Sequence, residues 1–237
     1  MAVDPLRPVL SPMHVPKASD VLAEDLRERI LRGDFPVDTA LPTERTLVTQ
    51  TQLSRTSVHE ALRILEVQGF VEIRSGRSGG AFVTSPGQDS VANSVSLLIR
   101  GRGIGMVRLL ETRAAMEPSC AEMAARHRST ADLDALERAN DALAADGTLE
   151  DFLAANIDWH VAVASASGSE ILGGFLQALS RSVYVAAHNQ GFVDVAVRRI
   201  TELAHRRVTA AIRDQDPDAA RRRMGRHVHA YAEAMLS

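Results

Sequence analysis

Hydrophobic residues in the first third of the chain recur every three to four positions and then change to strict alternation. The first pattern predicts three helices, one over 18–32 and two that begin after the candidate N-caps Thr43 and Ser54. The alternation in 70–74 and 81–84, on either side of a glycine-rich turn, predicts a β-hairpin. Three helices followed by a hairpin indicate a winged helix-turn-helix.

The rest of the chain contains few glycines and prolines and keeps a helical period throughout. The predicted helices span 88–100, 104–127, 130–145, 148–167, 169–189, 193–213 and 216–236. A bundle of six or seven helices over about 150 residues can bury its own core. We therefore expect a mainly α protein, with a winged helix-turn-helix domain at 18–85 and an all-α antiparallel bundle at 88–237. The proline-punctuated segment 1–17 is predicted to be a disordered tail.

Composition narrows the class of protein. Cys120 is the only cysteine among 237 residues, which excludes an internal disulfide framework. No segment approaches the run of about 18 apolar residues that a membrane-spanning helix needs, and the N-terminal segment has no signal-peptide core. We expect a cytoplasmic protein without membrane contact. The net charge is −3 and neither half is strongly basic, so any contact with nucleic acid has to be local.

The third predicted helix has a polar face suited to reading DNA. Arg55 lies in its first turn, and the residues that project away from its apolar face are Thr56, His59 and Arg63. Such residues reach base edges in recognition helices, where an arginine can bind guanine. Arg45 on the preceding helix and Arg77 in the hairpin turn are placed for phosphate or minor-groove contacts. Each arginine alone is better explained as a solvated surface charge, and it is their joint placement that favours DNA binding.

Four segments of this half carry a pattern that is specific when they are taken together: Leu41–Leu47, Leu53–Arg63, Leu65–Val71 and Gly76–Val83. They resemble the DNA-binding half of the GntR family of bacterial transcriptional regulators. The resemblance implies that Arg45, Arg55 and the wing from Arg77 to Gly80, including Gly79, contact operator DNA. One position departs from the family, because His59 stands where arginine is usual. An imidazole there removes a charged contact, which could alter operator preference or make binding depend on pH.

Polar side chains interrupt the apolar faces of the predicted bundle helices. They are Arg113 and Glu117 on one helix, Asn156 and His160 on another, and His205 and His227 on two more. Buried polar groups need partners, and Asn156 and His160 are spaced so that they point the same way, as two ligands of one metal ion would. A single inward histidine is more often a hydrogen-bonded core residue. Three inward histidines on separate helices favour one shared metal site, although a polar pocket without metal stays an alternative interpretation.

The same half contains four ordered matches to a known domain: Glu111–Arg113, Asn156–His160, Glu202–His205 and Met224–His227. From Gly103 onward the chain resembles the helical effector domain of the FadR subfamily of GntR regulators. In metal-binding members an aspartate and three histidines hold a divalent ion, and the resemblance places these ligands at Asn156, His160, His205 and His227. Imidazoles suit zinc, nickel and similar ions, with zinc the first expectation. Asn156 is neutral where aspartate is usual, so we expect weaker metal binding.

The resemblance also implies a small carboxylate effector that fills the coordination positions of the metal that the protein leaves open. Arg113 is its expected charge partner, because a guanidinium can grip a carboxylate through two hydrogen bonds. The other predicted effector-binding residues are Glu117, Arg181 and Tyr184. An exposed polar face would explain Arg181 and Tyr184 equally well.

We therefore expect a homodimeric regulator, not an enzyme, that binds pseudo-palindromic double-stranded operator DNA with an affinity set by the effector. Repression relieved by the effector is the commoner behaviour in the family. Two alternatives stay open. One is a metal-free sensor of an acyl ligand, and the other, on the three histidines alone, is a zinc-dependent hydrolase.

Overall fold

The computed structural model describes residues 15–76, 79–190 and 194–236. Contacts divide the chain into two compact units, the first ending at Pro86 and the second beginning at Gly87. Within the described residues the first unit contains three helices and a hairpin and the second contains seven helices, which confirms the predicted fold class. Most of the predicted disordered tail and the predicted helix break at Gly191 lie outside the described residues.

The first unit consists of α1 (Ala18–Leu31), α2 (Glu44–Thr51), α3 (Arg55–Val67), β1 (Val71–Arg74) and β2 (Gly80–Val83). As predicted, the hydroxyls of Thr43 and Ser54 cap α2 and α3 by accepting hydrogen bonds from backbone N–H groups. The strands are antiparallel, with Val71 opposite Val83. Helix α1 packs against α3, and the core beneath α3 includes Leu26, Val58, Leu65, Val71 and Val83.

The turn between α2 and α3 sets the orientation of the third helix. Gln52 adopts the left-handed conformation with φ of 58°, and its N–H donates to the carbonyl of Val48, which ends α2. Helix α3 begins three residues later and buries Val58 and Leu62 on one side. Its opposite side therefore faces outward.

The second unit consists of α4 (Gln88–Arg102), α5 (Met106–His127), α6 (Thr130–Ala144), α7 (Leu149–Ala166), α8 (Glu170–Gln190), α9 (Val195–Arg213) and α10 (Pro217–Leu236). Helix α5 is central, because it contacts α7, α8, α9 and α10. Large buried side chains fill the space between the helices, including Leu136, Trp159, Leu176, Ile212 and Met224. Among the described residues, no helix combines the length and apolar character needed to span a membrane.

Candidate metal centre and DNA-binding surface

Three histidines from three helices meet inside the second unit. His160 of α7, His205 of α9 and His227 of α10 are buried, and each offers a ring nitrogen within 4.8 Å of those of the other two. The Nε2 atoms of His205 and His227 are 3.0 Å apart, and those of His227 and His160 are 3.4 Å apart. We call these three residues the histidine cluster. The structure thus brings together three of the four residues predicted as metal ligands.

The apolar faces of the three helices explain this convergence. Trp159 and Val163 bury one side of α7 beside His160, while Val208 and Ile212 bury the inner side of α9 beyond His205. Met224 and Val228 do the same for α10 next to His227. Packing these apolar stripes against one another carries the intervening imidazoles to a common point.

Glu117 of α5 fixes the orientation of His160. The ring Nδ1–H of His160 donates to Oε2 of Glu117 over 2.6 Å, and this leaves the lone pair on Nε2 turned toward the other two histidines. A carboxylate behind a histidine in this way is a common feature of metal-ligating imidazoles, because it sets the tautomer and the direction of the ring. Glu117 therefore supports the metal interpretation of His160.

Arg113 completes a buried charged network with these residues. Its Nε donates to Glu117, and its Nη2 lies 2.9 Å from Nε2 of His160, to which it donates. The guanidinium carbon also lies 5.7 Å from the centre of the Tyr231 ring. Arg113 thus places a positive charge at the edge of the histidine cluster.

The electrostatics of the site keep the imidazoles neutral. Burial lowers the pKa of His160 although the Glu117 carboxylate opposes the shift, and burial lowers the pKa of His205 well below its ordinary range. Burial also lowers the pKa of His227 to about 3. For Glu117, burial alone would raise the pKa, but the charge of Arg113 and the hydrogen bonds from Arg113 and His160 outweigh it and hold the pKa well below its usual range. Near neutral pH the site therefore contains three neutral imidazoles and one carboxylate.

Trp159 and Thr209 position His205. The indole stacks on the imidazole with ring centres 3.6 Å apart and an angle of 9° between the planes. Indole Nε1 donates to the hydroxyl of Thr209, which also accepts from Asn140 of α6. Among the described residues, Nδ1 of His205 is buried without a hydrogen-bond partner. The ring is therefore held by this stacking and by the contact of its Nε2 with Nε2 of His227.

The donor set fits a divalent cation. A neutral imidazole has one proton for two nitrogens, and because Nδ1–H of His160 donates to Glu117, Nε2 of that ring presents a lone pair toward the other two histidines. A divalent cation could accept lone pairs from the three converging rings, since their ring nitrogens lie within 4.8 Å of one another and imidazoles suit zinc and similar ions. Asn156 lies one turn before His160 on α7 and is partly exposed, and its role as a fourth ligand stays a prediction.

The predicted effector-binding residues occupy two different places. Arg113 and Glu117 lie at the histidine cluster, as described above. Tyr184 of α8 is partly buried against the bundle core. Arg181 is exposed and lines a cleft of about 780 Å³ with Arg100 and other residues of α4, a cleft that none of the three histidines lines. Effector roles for Arg181 and Tyr184 stay predictions.

The predicted DNA-binding residues lie on the outer side of α2 and α3. All of the predicted residues on these two helices are exposed, namely Arg45, Arg55, Thr56, His59 and Arg63. Arg63 pairs with Glu66, whereas Nδ1 of His59 lies 3.0 Å from Oε1 of Glu44, to which it donates. Glu44 thus ties the first turn of α2 to the exposed face of α3. No local sequence pattern indicates this contact, because the two residues are 15 positions apart.

The hairpin tip carries the remaining predicted contacts. Arg77 lies outside the described residues. Gly79 is exposed, and its N–H donates to the carbonyl of Gly76 over 2.9 Å. A Cβ atom on Gly79 would lie 2.5 Å from the carbonyl oxygen of Arg74, so any side chain there would force the turn to change.

Comparison with known proteins defines the class that this fold and site belong to. Residues 18–83 match the family model described as bacterial regulatory proteins of the gntR family, and residues 108–230 match the model of the FCD domain. The chain therefore belongs to the GntR family of bacterial transcriptional regulators, in the subfamily with an FCD domain at the C-terminal end.

Individual relatives agree with this family. The chain is 28% identical over 225 residues to the HTH-type transcriptional repressor NanR of Citrobacter rodentium, covering 92% of this chain and 85% of that one. It is 26% identical over 226 residues to NanR of Escherichia coli K12, covering 92% and 84%. The structure named Streptococcus agalactiae GntR matches 91% of this chain and 99% of its own with a TM-score of 0.64 at 22% identity, a likeness of fold. The NanR proteins are named transcriptional repressors and the family model describes regulatory proteins, which confirms the prediction that the protein is a regulator and not an enzyme.

Proposed function

We propose that the protein is a transcriptional repressor whose affinity for operator DNA depends on a small carboxylate effector bound at a divalent metal in the second unit. The observation that carries the proposal is the convergence of three buried, neutral imidazoles on one point. The relatives named as repressors support repression as the direction of control. A protein that acts on bacterial DNA would work in the cytoplasm.

The residues around the histidine cluster have separate tasks in this proposal. A metal ion bound there would supply a Lewis acid for a carboxylate oxygen, with zinc or nickel the best matches to imidazole donors. Glu117 holds the ring of His160 in the tautomer whose Nε2 carries a lone pair, and Trp159 holds the ring of His205. Arg113 offers guanidinium donors beside His160 to a second carboxylate oxygen.

Operator binding is assigned to the exposed face of α2 and α3 and to the wing. Arg55 and Thr56 in the first turn of α3 would face base edges, and Arg45 on α2 would face the backbone. His59, Arg63, Arg77 and Gly79 belong to the same predicted surface. A homodimer would present two such surfaces to a pseudo-palindromic operator.

Substitution of single histidines tests the metal assignment. We expect His160→Ala and His227→Ala to weaken zinc binding by at least about tenfold, since each removes a ligand, while operator binding without effector stays near the parent value. Metal content of the purified full-length protein, measured by elemental analysis, and gel-shift titration of an operator duplex provide the two readouts.

His229→Ala is the matched control, because His229 is an exposed histidine on α10 two residues beyond His227. It should retain the parent's metal content. Equal metal content in the parent, His160→Ala and His227→Ala would contradict the ligand assignment. Effector-responsive protein that contains no metal would instead favour the metal-free sensor.

A further inference from the structure

A groove between α9 and α10 connects the histidine cluster to the surface. Two adjoining cavities of about 240 and 260 Å³ form it, and both are lined by Ile200, His227 and Ala230. His227 is 9% exposed, whereas His160 is 2% and His205 is 0% exposed. Of the three histidines, His227 is thus the one that a molecule in this groove would touch first.

The two ends of the groove differ in chemistry. One end is lined by Val197, Thr201, Tyr231 and Ala234 and is mainly apolar. The other end is lined by Arg207 of α9 and by Arg223 and Arg226 of α10. Nη1 of Arg223 donates to the carbonyl of Arg207 over 2.6 Å, which anchors this guanidinium across the two helices.

The charge at the arginine end is uncompensated. Within the described part of the chain, neither Arg207 nor Arg226 has a carboxylate within ion-pair distance. Neighbouring arginines on the same helices are paired instead: Arg206 with Glu202, Arg213 with Glu137 and Arg221 with Glu122. Unpaired guanidinium groups that line a cavity favour an anion, since each can bind a carboxylate through two hydrogen bonds.

We propose that this groove binds a small organic dianion. One carboxylate of the dianion lies over His227 at the histidine cluster, and the second anionic group lies between Arg207 and Arg226. The carbon chain between them packs against Ile200 and Ala230, which both cavities share. This inference rests on the proposed function and names the class of its effector, and it adds Arg207 and Arg226 to the binding residues.

Matched pairs of acids test the proposal on the metal-loaded full-length protein. Succinate, glutarate and adipate are each compared by calorimetric titration with the monocarboxylate of equal length, butyrate, valerate and hexanoate. We expect at least one dicarboxylate to bind about tenfold more tightly than its monocarboxylate partner, because only the dicarboxylate can engage the arginines. Arg207→Ala and Arg226→Ala should remove most of this preference and leave monocarboxylate binding unchanged.

Arg222→Ala is the control variant, because Arg222 is an exposed arginine of α10 that does not line the groove. It makes the same change in net charge and should keep the preference for the dicarboxylate. Equal affinity for every acid pair in the parent would overturn the proposal. An equal loss in Arg222→Ala and Arg226→Ala would also overturn it, since it would show a general charge effect.

Two further measurements on the same samples separate this inference from the proposed function. If Arg226→Ala retains metal and operator affinity but the acid pairs bind equally, the groove assignment fails and the metal-dependent repressor stands. If His227→Ala loses no metal while the parent prefers dicarboxylates through Arg226, the metal assignment fails and the groove assignment stands. Weaker operator binding of Arg207→Ala and Arg226→Ala without added acid would show DNA contacts and overturn the groove assignment.

Discussion

Burial controls the protonation of His227. Its pKa falls to about 3 in the folded protein because burial disfavours the imidazolium, whereas the ordinary value is 6.5. Between these two values the unfolded chain binds more protons at this position than the folded chain does. The free energy of unfolding therefore falls as the pH is lowered through this interval.

The stability of the chelator-treated protein tests this shift. Between pH 7 and pH 5 we expect the free energy of unfolding to fall by about 2 kcal/mol more for the parent than for His227→Gln, because glutamine does not titrate. Urea denaturation at the two pH values measures the difference. His229→Gln removes an exposed histidine from the same helix and should keep the parent's pH dependence. The same pH dependence in the parent and His227→Gln would rule out the shift.

At the scale of single elements, α3 has one buried side and one exposed side. Val58, Ala61, Leu62 and Leu65 are buried on one side and fix the helix to the core of the first unit. Its other side exposes Arg55 at the N-terminal end, and within the described residues this arginine has no carboxylate partner. Arg63 on the same helix pairs with Glu66. Of these two arginines of α3, Arg55 is thus the one without an ion-pair partner among the residues that the structure describes, as its proposed contact with DNA requires.

Operator affinity of the full-length protein tests this role of α3. We expect Arg55→Ala to weaken binding by about 1 to 3 kcal/mol, because the contact with a guanine edge is lost. Fluorescence anisotropy with a labelled operator duplex measures the change. Arg29→Ala removes an exposed arginine of α1 and should bind as the parent does. An equal loss of affinity in both variants would mean that Arg55 acts only through net charge.

Local sequence signals predict the helices and strands, but they do not predict contacts between residues that are far apart in the chain. The caps at Thr43 and Ser54 and the inward positions of His160, His205 and His227 follow from spacing along single helices. The contacts around those histidines do not follow from such spacing. The Arg113–His160 contact spans 47 positions, and the contact between Thr209 and Trp159, which stacks on His205, spans 50. Which polar residues of separate helices meet depends on how the helices pack, and a helical period contains no information on that.

At the scale of the whole molecule, the second unit exposes apolar surface that the proposed dimer would cover. Helices α4 and α8 pack against each other and expose Leu97, Leu98, Ile171 and Phe175. Large apolar side chains exposed on adjacent helices favour association with another protein surface, and a second copy of the chain would provide one.

Stoichiometry on DNA tests the dimer. We expect sedimentation analysis to show two protomers on each pseudo-palindromic operator, because the two-fold axis of the dimer matches that of the site. A duplex that contains a single half-site should bind more weakly, since only one winged unit can engage it. Saturation of the full operator by one protomer would refute this arrangement.

The stacking of Trp159 on His205 has a practical consequence. This indole is the only one in the chain, so all tryptophan emission of the protein originates beside the histidine cluster. A change in ring charge or in the occupancy of the cluster acts directly on its excited state. Intrinsic fluorescence can therefore report a change at the histidine cluster without an attached dye.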